Sequence, residues 1–216
     1  MSKLEHDPIN SLTVKYIKAP VTTEPWNHIV IDNFLPKDFW KFILHKFETD
    51  TTPPDNFDDY HYPYGQVTSP EEIMTHEEWY ITSRLFKNDT FKKTLFKRWD
   101  IEHDGKIECK FGVHRDQKGF FQDPHTDIKE YAKEIVTMQV YCPPDESLKH
   151  LGTSLFNSVE WRPELNGPEY HSTIDFIPNR CISFKCDPNT WHGVFPFQEE
   201  TNNKRNSLRL LYYVPV

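Results

Sequence analysis

His125 and Asp127 stand one residue apart in Pro124-His125-Thr126-Asp127. Side chains two positions apart on an extended chain point the same way, so an imidazole and a carboxylate start from one wall. His192, in Trp191-His192-Gly193-Val194, offers a second imidazole 65 residues after Asp127, enough chain for several strands to intervene and return it to the same place. Two imidazoles and one carboxylate form the facial set that holds non-haem Fe(II) and leaves adjacent coordination positions open. A closed structural zinc site would want a fourth protein ligand, and the sequence offers none in this pattern. Downstream, Lys204 to Tyr213 is a basic, strand-like run carrying Arg205 and Arg209, which lie 13 and 17 residues past His192. Their spacing of four puts both guanidiniums on one face of a strand, where either suits a ligand with a free carboxylate. A structural ion pair is the alternative use of each arginine.

In this order and context the chain resembles the Fe(II)/2-oxoglutarate-dependent dioxygenases, in particular their prolyl-hydroxylase-like group. The matching segments run from Pro25-Trp26-Asn27-His28-Ile29-Val30-Ile31 and its continuation to Pro36, through Gly119-Phe120-Phe121-Gln122-Asp123-Pro124-His125-Thr126-Asp127, to the tail that begins Arg205-Asn206-Ser207-Leu208, nearly the whole chain. The resemblance implies that His125, Asp127 and His192 hold Fe(II), and that 2-oxoglutarate and O2 are co-substrates, with ascorbate as an auxiliary reductant. The reaction it implies is hydroxylation of an unactivated C–H bond with release of succinate and CO2. It favours Arg205 for the distal carboxylate of 2-oxoglutarate, with Ser207 as a second donor, and leaves Arg209 nearer the metal or the substrate. Thr137, Gln139 and Tyr141 share one strand face, and the position of Tyr141 matches that from which family members offer a tyrosine to the co-substrate. Thr153, in Leu151-Gly152-Thr153-Ser154-Leu155-Phe156, matches a co-substrate position too. For Tyr141 and Thr153 the plainer reading is core packing. Arg115, in the Arg115-Asp116 pair ahead of Gly119, is expected to face the substrate cavity. The nine other histidines lack a carboxylate partner in this pattern and read as surface or hydrogen-bonded core.

The elements that must position these groups follow from periodicity. Leu12 to Ile17 alternates and reads as an edge strand, and His28 to Phe34 as a short strand. Phe39, Trp40, Phe42, Ile43, Leu44 and Phe47 recur at helical spacing behind Pro36, and Glu77 to Trp99 reads as helix broken near Asn88-Asp89. Beyond that come strands: Ile107 to Val113, Thr137 to Tyr141, Ser172 to Phe176, Cys181 to Lys185 and Leu208 to Val214. Helices first and short strands afterwards give an α+β chain whose catalytic half is two packed antiparallel sheets. The resemblance makes that half a double-stranded β-helix, or jelly roll, with the metal at its open end. The expected plan is a single domain over 1–216, with helical support in 1–105 and the jelly-roll core in 106–216. Residues 53–66, rich in Pro, Asp and Tyr, are either a substrate lid or a solvated surface loop.

Composition narrows the function classes. At 216 residues the chain suits one domain with a substantial core, and its 37% hydrophobic and 15% aromatic residues are an ordinary globular mixture. Asp+Glu 33 against Lys+Arg 25 gives a formal charge of -8, which disfavours a nucleic-acid substrate. The four cysteines form no C-x-x-C pair and read as reduced, mostly buried thiols. The N-terminus has no apolar signal region and no run is long enough to span a membrane, so the expected compartment is the cytoplasm. Substrates left open are a prolyl or other protein side chain, a free amino acid and a nucleotide-linked sugar. Two rival readings remain. A non-redox, cupin-like metal-binding protein needs the three ligands and not Arg205; a protein-binding module built on the aromatic loop at 57–64 needs neither.

Overall fold

Alternation of side chains about a strand decides which residues of this chain meet the site and which meet the helices. The computed structural model describes residues 8–49, 77–163, 167–198 and 203–216. In chain order the elements are α1 (Pro8–Lys18), β1 (Val21–Thr22), β2 (His28–Ile31), α2 (Lys37–Thr49), α3 (Glu77–Phe86), α4 (Asp89–Arg98), β3 (Glu108–Asp116), β4 (Gln122–His125), β5 (Ala132–Tyr141), β6 (Thr153–Arg162), β7 (Gly167–Ile174), β8 (Cys181–Lys185), β9 (His192–Val194) and β10 (Arg205–Pro215). The strands form a six-stranded sheet in the order β1-β2-β8-β5-β10-β3 and a four-stranded sheet in the order β4-β9-β6-β7. Every pairing is antiparallel, and the architecture is the jelly roll expected. β1 and β2 complete the larger sheet, so the first 105 residues contribute strands as well as helical support.

The larger sheet has two buried faces. On its helix side lie Phe111 and Val113 of β3, Val136, Met138 and Val140 of β5, and Leu208, Leu210, Tyr212 and Val214 of β10, packed with Leu12, Tyr16, Ile43, Phe47, Phe86, Phe91 and Leu95. On the side facing the smaller sheet lie Ile135, Tyr141, Leu211 and Tyr213, packed with Leu155, Phe176, Ile182 and Phe184. β10 is an inner strand, paired on both sides and covered on both faces, which is why nearly every one of its residues is buried.

The break near Asn88 is a helix boundary: the Asn88 side chain accepts from the backbone N–H groups of Thr90 and Phe91 and so caps α4. The expected edge strand at Leu12 to Ile17 is instead the middle of α1. Leu12, Val14 and Tyr16 imitate a period of two, but Val14 is exposed, and the buried pair Leu12 and Tyr16 is four apart as a helix requires. Tyr16 anchors that helix through hydrogen bonds with Ser183 (2.8 Å) and Trp99 (2.7 Å). The four thiols are free, three of them buried, as expected. No helix among the described residues is long and apolar enough to cross a membrane. The 53–66 segment lies outside the described residues.

Candidate active site

The two imidazoles arrive on paired strands. β4 and β9 run antiparallel with His125 opposite His192, and their rings lie 4.4 Å apart between centroids. Gly193 permits this closeness, because a Cβ there would sit 2.5 Å from the carbonyl oxygen of Gln122 on the neighbouring strand. His125 Nδ1 lies 2.8 Å from the Asp123 carbonyl and His192 Nδ1 lies 2.9 Å from that of Thr190. A carbonyl only accepts, so in the neutral rings the proton sits on Nδ1 and each Nε2 keeps its lone pair for a metal. Burial, with the neighbouring His192 as the next contribution, pushes His125 down to about 4, so it is neutral near pH 7.

Asp127 does not share a strand with His125: β4 ends at His125, and the aspartate follows in coil. Its fully buried carboxylate still faces both rings. Oδ1 is 3.7 Å from His125 Nε2 and Oδ2 is 3.4 Å from His192 Nε2, and one ligand atom from each residue lies within 4.8 Å of the others. The larger sheet holds the carboxylate in place. Arg209 Nη2 donates to Oδ1 at 2.6 Å and Thr137 Oγ1 donates to Oδ2 at 2.7 Å. Burial alone would raise this carboxyl, but the Arg209 charge, with the neighbouring His192 and the hydrogen bond from Thr137, outweighs it and holds it well below the usual range. Gln122 Nε2 lies 3.1 Å from His125 Nε2.

From His125, Asp127 and His192 a cleft of about 690 Å³, open mouth included, runs along the larger sheet. Its floor is set by register: Arg205 of β10 stands opposite Asp116 of β3, Ser207 opposite His114 and Tyr141, and Arg209 opposite Gly112 and Gln139. Both arginines line the cleft, with His114, Asp116, Gln139 and Thr153. Arg205, 2% exposed, donates from Nη1 to Asp116 Oδ2 at 2.7 Å and from Nε to the Leu151 carbonyl at 2.6 Å. Its Nη2 has no partner, and neither has Asp116 Oδ1. Burial raises the Asp116 carboxyl, and Arg205 works against that rise.

Tyr141 takes the core-packing alternative, and Ser207 and Arg115 occupy places other than those the resemblance implied. Tyr141 is fully buried behind the cleft wall, donating to Thr153 Oγ1 at 2.6 Å and accepting from the Thr153 N–H at 3.1 Å. Ser207 likewise stands behind, accepting from Gln139 Nε2 at 3.0 Å. Tyr141 and Ser207 thus hold the lining residues Thr153 and Gln139. Arg115 does not line the cleft: it shares strand parity with Phe111 and Val113, so it faces the helices, where it donates to the Phe47 carbonyl and sits over the Phe47 ring. The same alternation turns Gly112, His114 and Asp116 inward. His114 was therefore passed over as surface or hydrogen-bonded core, because both faces of the larger sheet are apolar and the alternation of β3 alone does not tell which of them the helices cover.

No family profile matches the chain, and no curated protein matches it. Solved structures do. A Phytophthora capsici prolyl 4-hydroxylase superimposes with a TM-score of 0.61 at 13% identity, over 99% of this chain and 68% of that one. A Trichoplax adhaerens prolyl hydroxylase in complex with a peptide fragment of hypoxia inducible factor gives 0.54 at 15%, over 95% and 88%. The fold is that of the prolyl hydroxylases. The same fold is shared by SnoN, a non-heme α-ketoglutarate-dependent epimerase of nogalamycin biosynthesis, at a TM-score of 0.57 and 11% identity over 96% and 84% of the two chains. What the prolyl-hydroxylase fold supplies here is the frame: a sheet edge for two imidazoles and a facing sheet for two arginines.

Proposed function

We propose that the chain is an Fe(II)- and 2-oxoglutarate-dependent oxygenase that hydroxylates an unactivated C–H bond. The observation that carries this reading is the donor set of the cleft. Two Nε2 atoms with their Nδ1 partners tied to carbonyls and one carboxylate suit Fe(II), and an unpartnered guanidinium nitrogen waits in the same cleft. Charge supports it as well: Arg205 and Arg209 are matched by Asp116 and Asp127, so a divalent cation and a dianionic co-substrate leave the cleft balanced.

His125, Asp127 and His192 would hold Fe(II), and Arg205 the distal carboxylate of 2-oxoglutarate. With O2, the bound iron and co-substrate supply the oxidising power for C–H cleavage and yield succinate and CO2, ascorbate serving to keep the iron reduced. The chain's own work is positional. Arg209 and Thr137 fix the Asp127 carboxylate, the Asp123 and Thr190 carbonyls orient the imidazoles, and Phe120, Phe121 and Phe184 keep water from the cleft. The substrate is a protein side chain, prolyl included, or a small metabolite.

A non-redox, cupin-like metal protein would keep the triad and would account for the Arg205–Asp116 pair as structure. It leaves the free Arg205 Nη2 without a use. Equilibrium binding of 2-oxoglutarate with and without metal separates the two. The oxygenase reading expects metal-dependent binding and, with Fe(II), O2 and ascorbate, succinate release that Asp127→Asn reduces to background. Absence of metal-dependent binding would overturn it.

A further inference from the structure

His114 takes no part in the triad, yet it is built into the cleft. It stands on β3 one inward-facing position from Asp116 and one from Gly112, whose cross-strand partners are Arg205 and Arg209. It is 7% exposed, lines the same cleft as both arginines, and its Nε2 has no hydrogen-bond partner. An unmet polar atom at this depth is costly until a ligand or water completes it. Gly112 leaves the ring its space: a Cβ there would come within 3.0 Å of His114 Nε2.

The polar atoms nearby are mostly committed. Arg205 spends Nη1 on Asp116 and Nε on the Leu151 carbonyl, Gln139 Nε2 serves Ser207, and the Tyr141 hydroxyl serves Thr153. Among the described residues that line the cleft, His114 Nε2 and Arg205 Nη2 are the two buried nitrogens left without a partner. A carboxylate reaching Arg205 receives one hydrogen bond from it and needs another donor for its second oxygen.

We infer that His114 is a co-substrate residue: its Nε2–H and Arg205 Nη2 each hold one oxygen of the carboxylate of 2-oxoglutarate that lies away from the metal. The inference rests on the oxygenase reading above. Burial, reinforced by the Arg209 and Arg205 charges, keeps the imidazole neutral, pushed down to about 3, so it contributes a directed donor and no charge. Because Asp116 already matches Arg205, placement of donors matters more at this end than net charge.

The test is calorimetry on the full chain loaded with Mn(II), which stands in for Fe(II) and prevents turnover, comparing 2-oxoglutarate with 2-oxopentanoate, a keto acid of equal length without the distal carboxylate. His114→Leu should weaken 2-oxoglutarate about ten-fold or more, the size of one hydrogen bond to an ionised partner, and leave 2-oxopentanoate unchanged. His114→Gln, which keeps a donor amide, should recover much of the loss. Wild-type affinity for 2-oxoglutarate in His114→Leu would overturn the inference while leaving the oxygenase reading intact. A wild-type protein that binds neither keto acid would overturn both. Should the variants fold poorly, the wild type decides: in Zn(II)-loaded protein the ring ¹⁵N signal of His114 shifts with 2-oxoglutarate and not with 2-oxopentanoate, and an unmoved signal contradicts the role.

Discussion

The two ends of the cleft are opposites in how their polar atoms are satisfied. At the proposed metal end both oxygens of Asp127 are engaged, by Arg209 and by Thr137, and both imidazoles have a carbonyl on Nδ1. At the far end Arg205 Nη2, Asp116 Oδ1 and His114 Nε2 are all left over. Groups that must hold an ion at fixed distances are locked beforehand, whereas groups that receive a ligand keep unpaired atoms until it arrives. Both ends use an arginine on β10 against a buried aspartate, so the difference lies in what surrounds each pair.

The largest effect should come from breaking the far pair. Arg205→Met leaves Asp116 buried without its partner, a loss of about 3–5 kcal/mol of stability, and should also raise the 2-oxoglutarate requirement. Adding Asp116→Asn should return most of the stability and none of the co-substrate affinity. Thermal unfolding and calorimetry on the single and double variants check both halves, and recovery of affinity in the double variant would reduce Arg205 to a structural residue.

Next in size is the metal end. Arg209→Gln removes the main charge that holds the Asp127 carboxyl low, so protons should compete with the metal at higher pH. Metal affinity near neutral pH should fall by roughly 10–100-fold, as for other lost outer partners of a ligand. Competition titrations with Mn(II) across pH give the affinity and the direction of the pH shift together.

Legibility in the sequence divides along the same line. The end at His125, Asp127 and His192 was readable because two imidazoles and a carboxylate of the right types recur in order, and the start of β10 because Arg205, Ser207 and Arg209 alternate with Asn206, Leu208 and Leu210. Asp127 was correctly grouped with His125 even though the strand ends between them, since one coil residue keeps the two side chains near each other. The far end was harder to read. Tyr141 and Thr153 have the right parity, but only the distances tell that the tyrosine stands behind the threonine. Arg115 and His114 are adjacent, and choosing between them required knowing which face of β3 the helices cover. α1 was missed because a helical stripe that includes an exposed valine can imitate a strand over six residues.

Acid should act through the cleft's depressed histidines. His114 and His125 are held at about 3 and about 4 against 6.5 for an exposed ring. The unfolded chain therefore binds more protons below pH 6.5, and the stability these rings contribute, fully present above that value, is lost as pH falls toward 4 and then 3. His114→Gln should flatten that acid limb in denaturant titrations. The smallest effect belongs to Tyr141→Phe, which removes one buried donor at a cost of about 0.5–1.5 kcal/mol and should leave the 2-oxoglutarate requirement nearly unchanged; a strong rise would bring Tyr141 back to the co-substrate.

In the proposed oxygenase one ion and one keto acid meet at His125, Asp127 and His192. Anaerobic titration of the protein with Fe(II) and 2-oxoglutarate, followed by visible absorption, tests it most directly. A charge-transfer band should appear that needs both additions, saturates at one of each per chain and vanishes in His192→Ala. A spectrum no different from that of the same reagents without protein would contradict it.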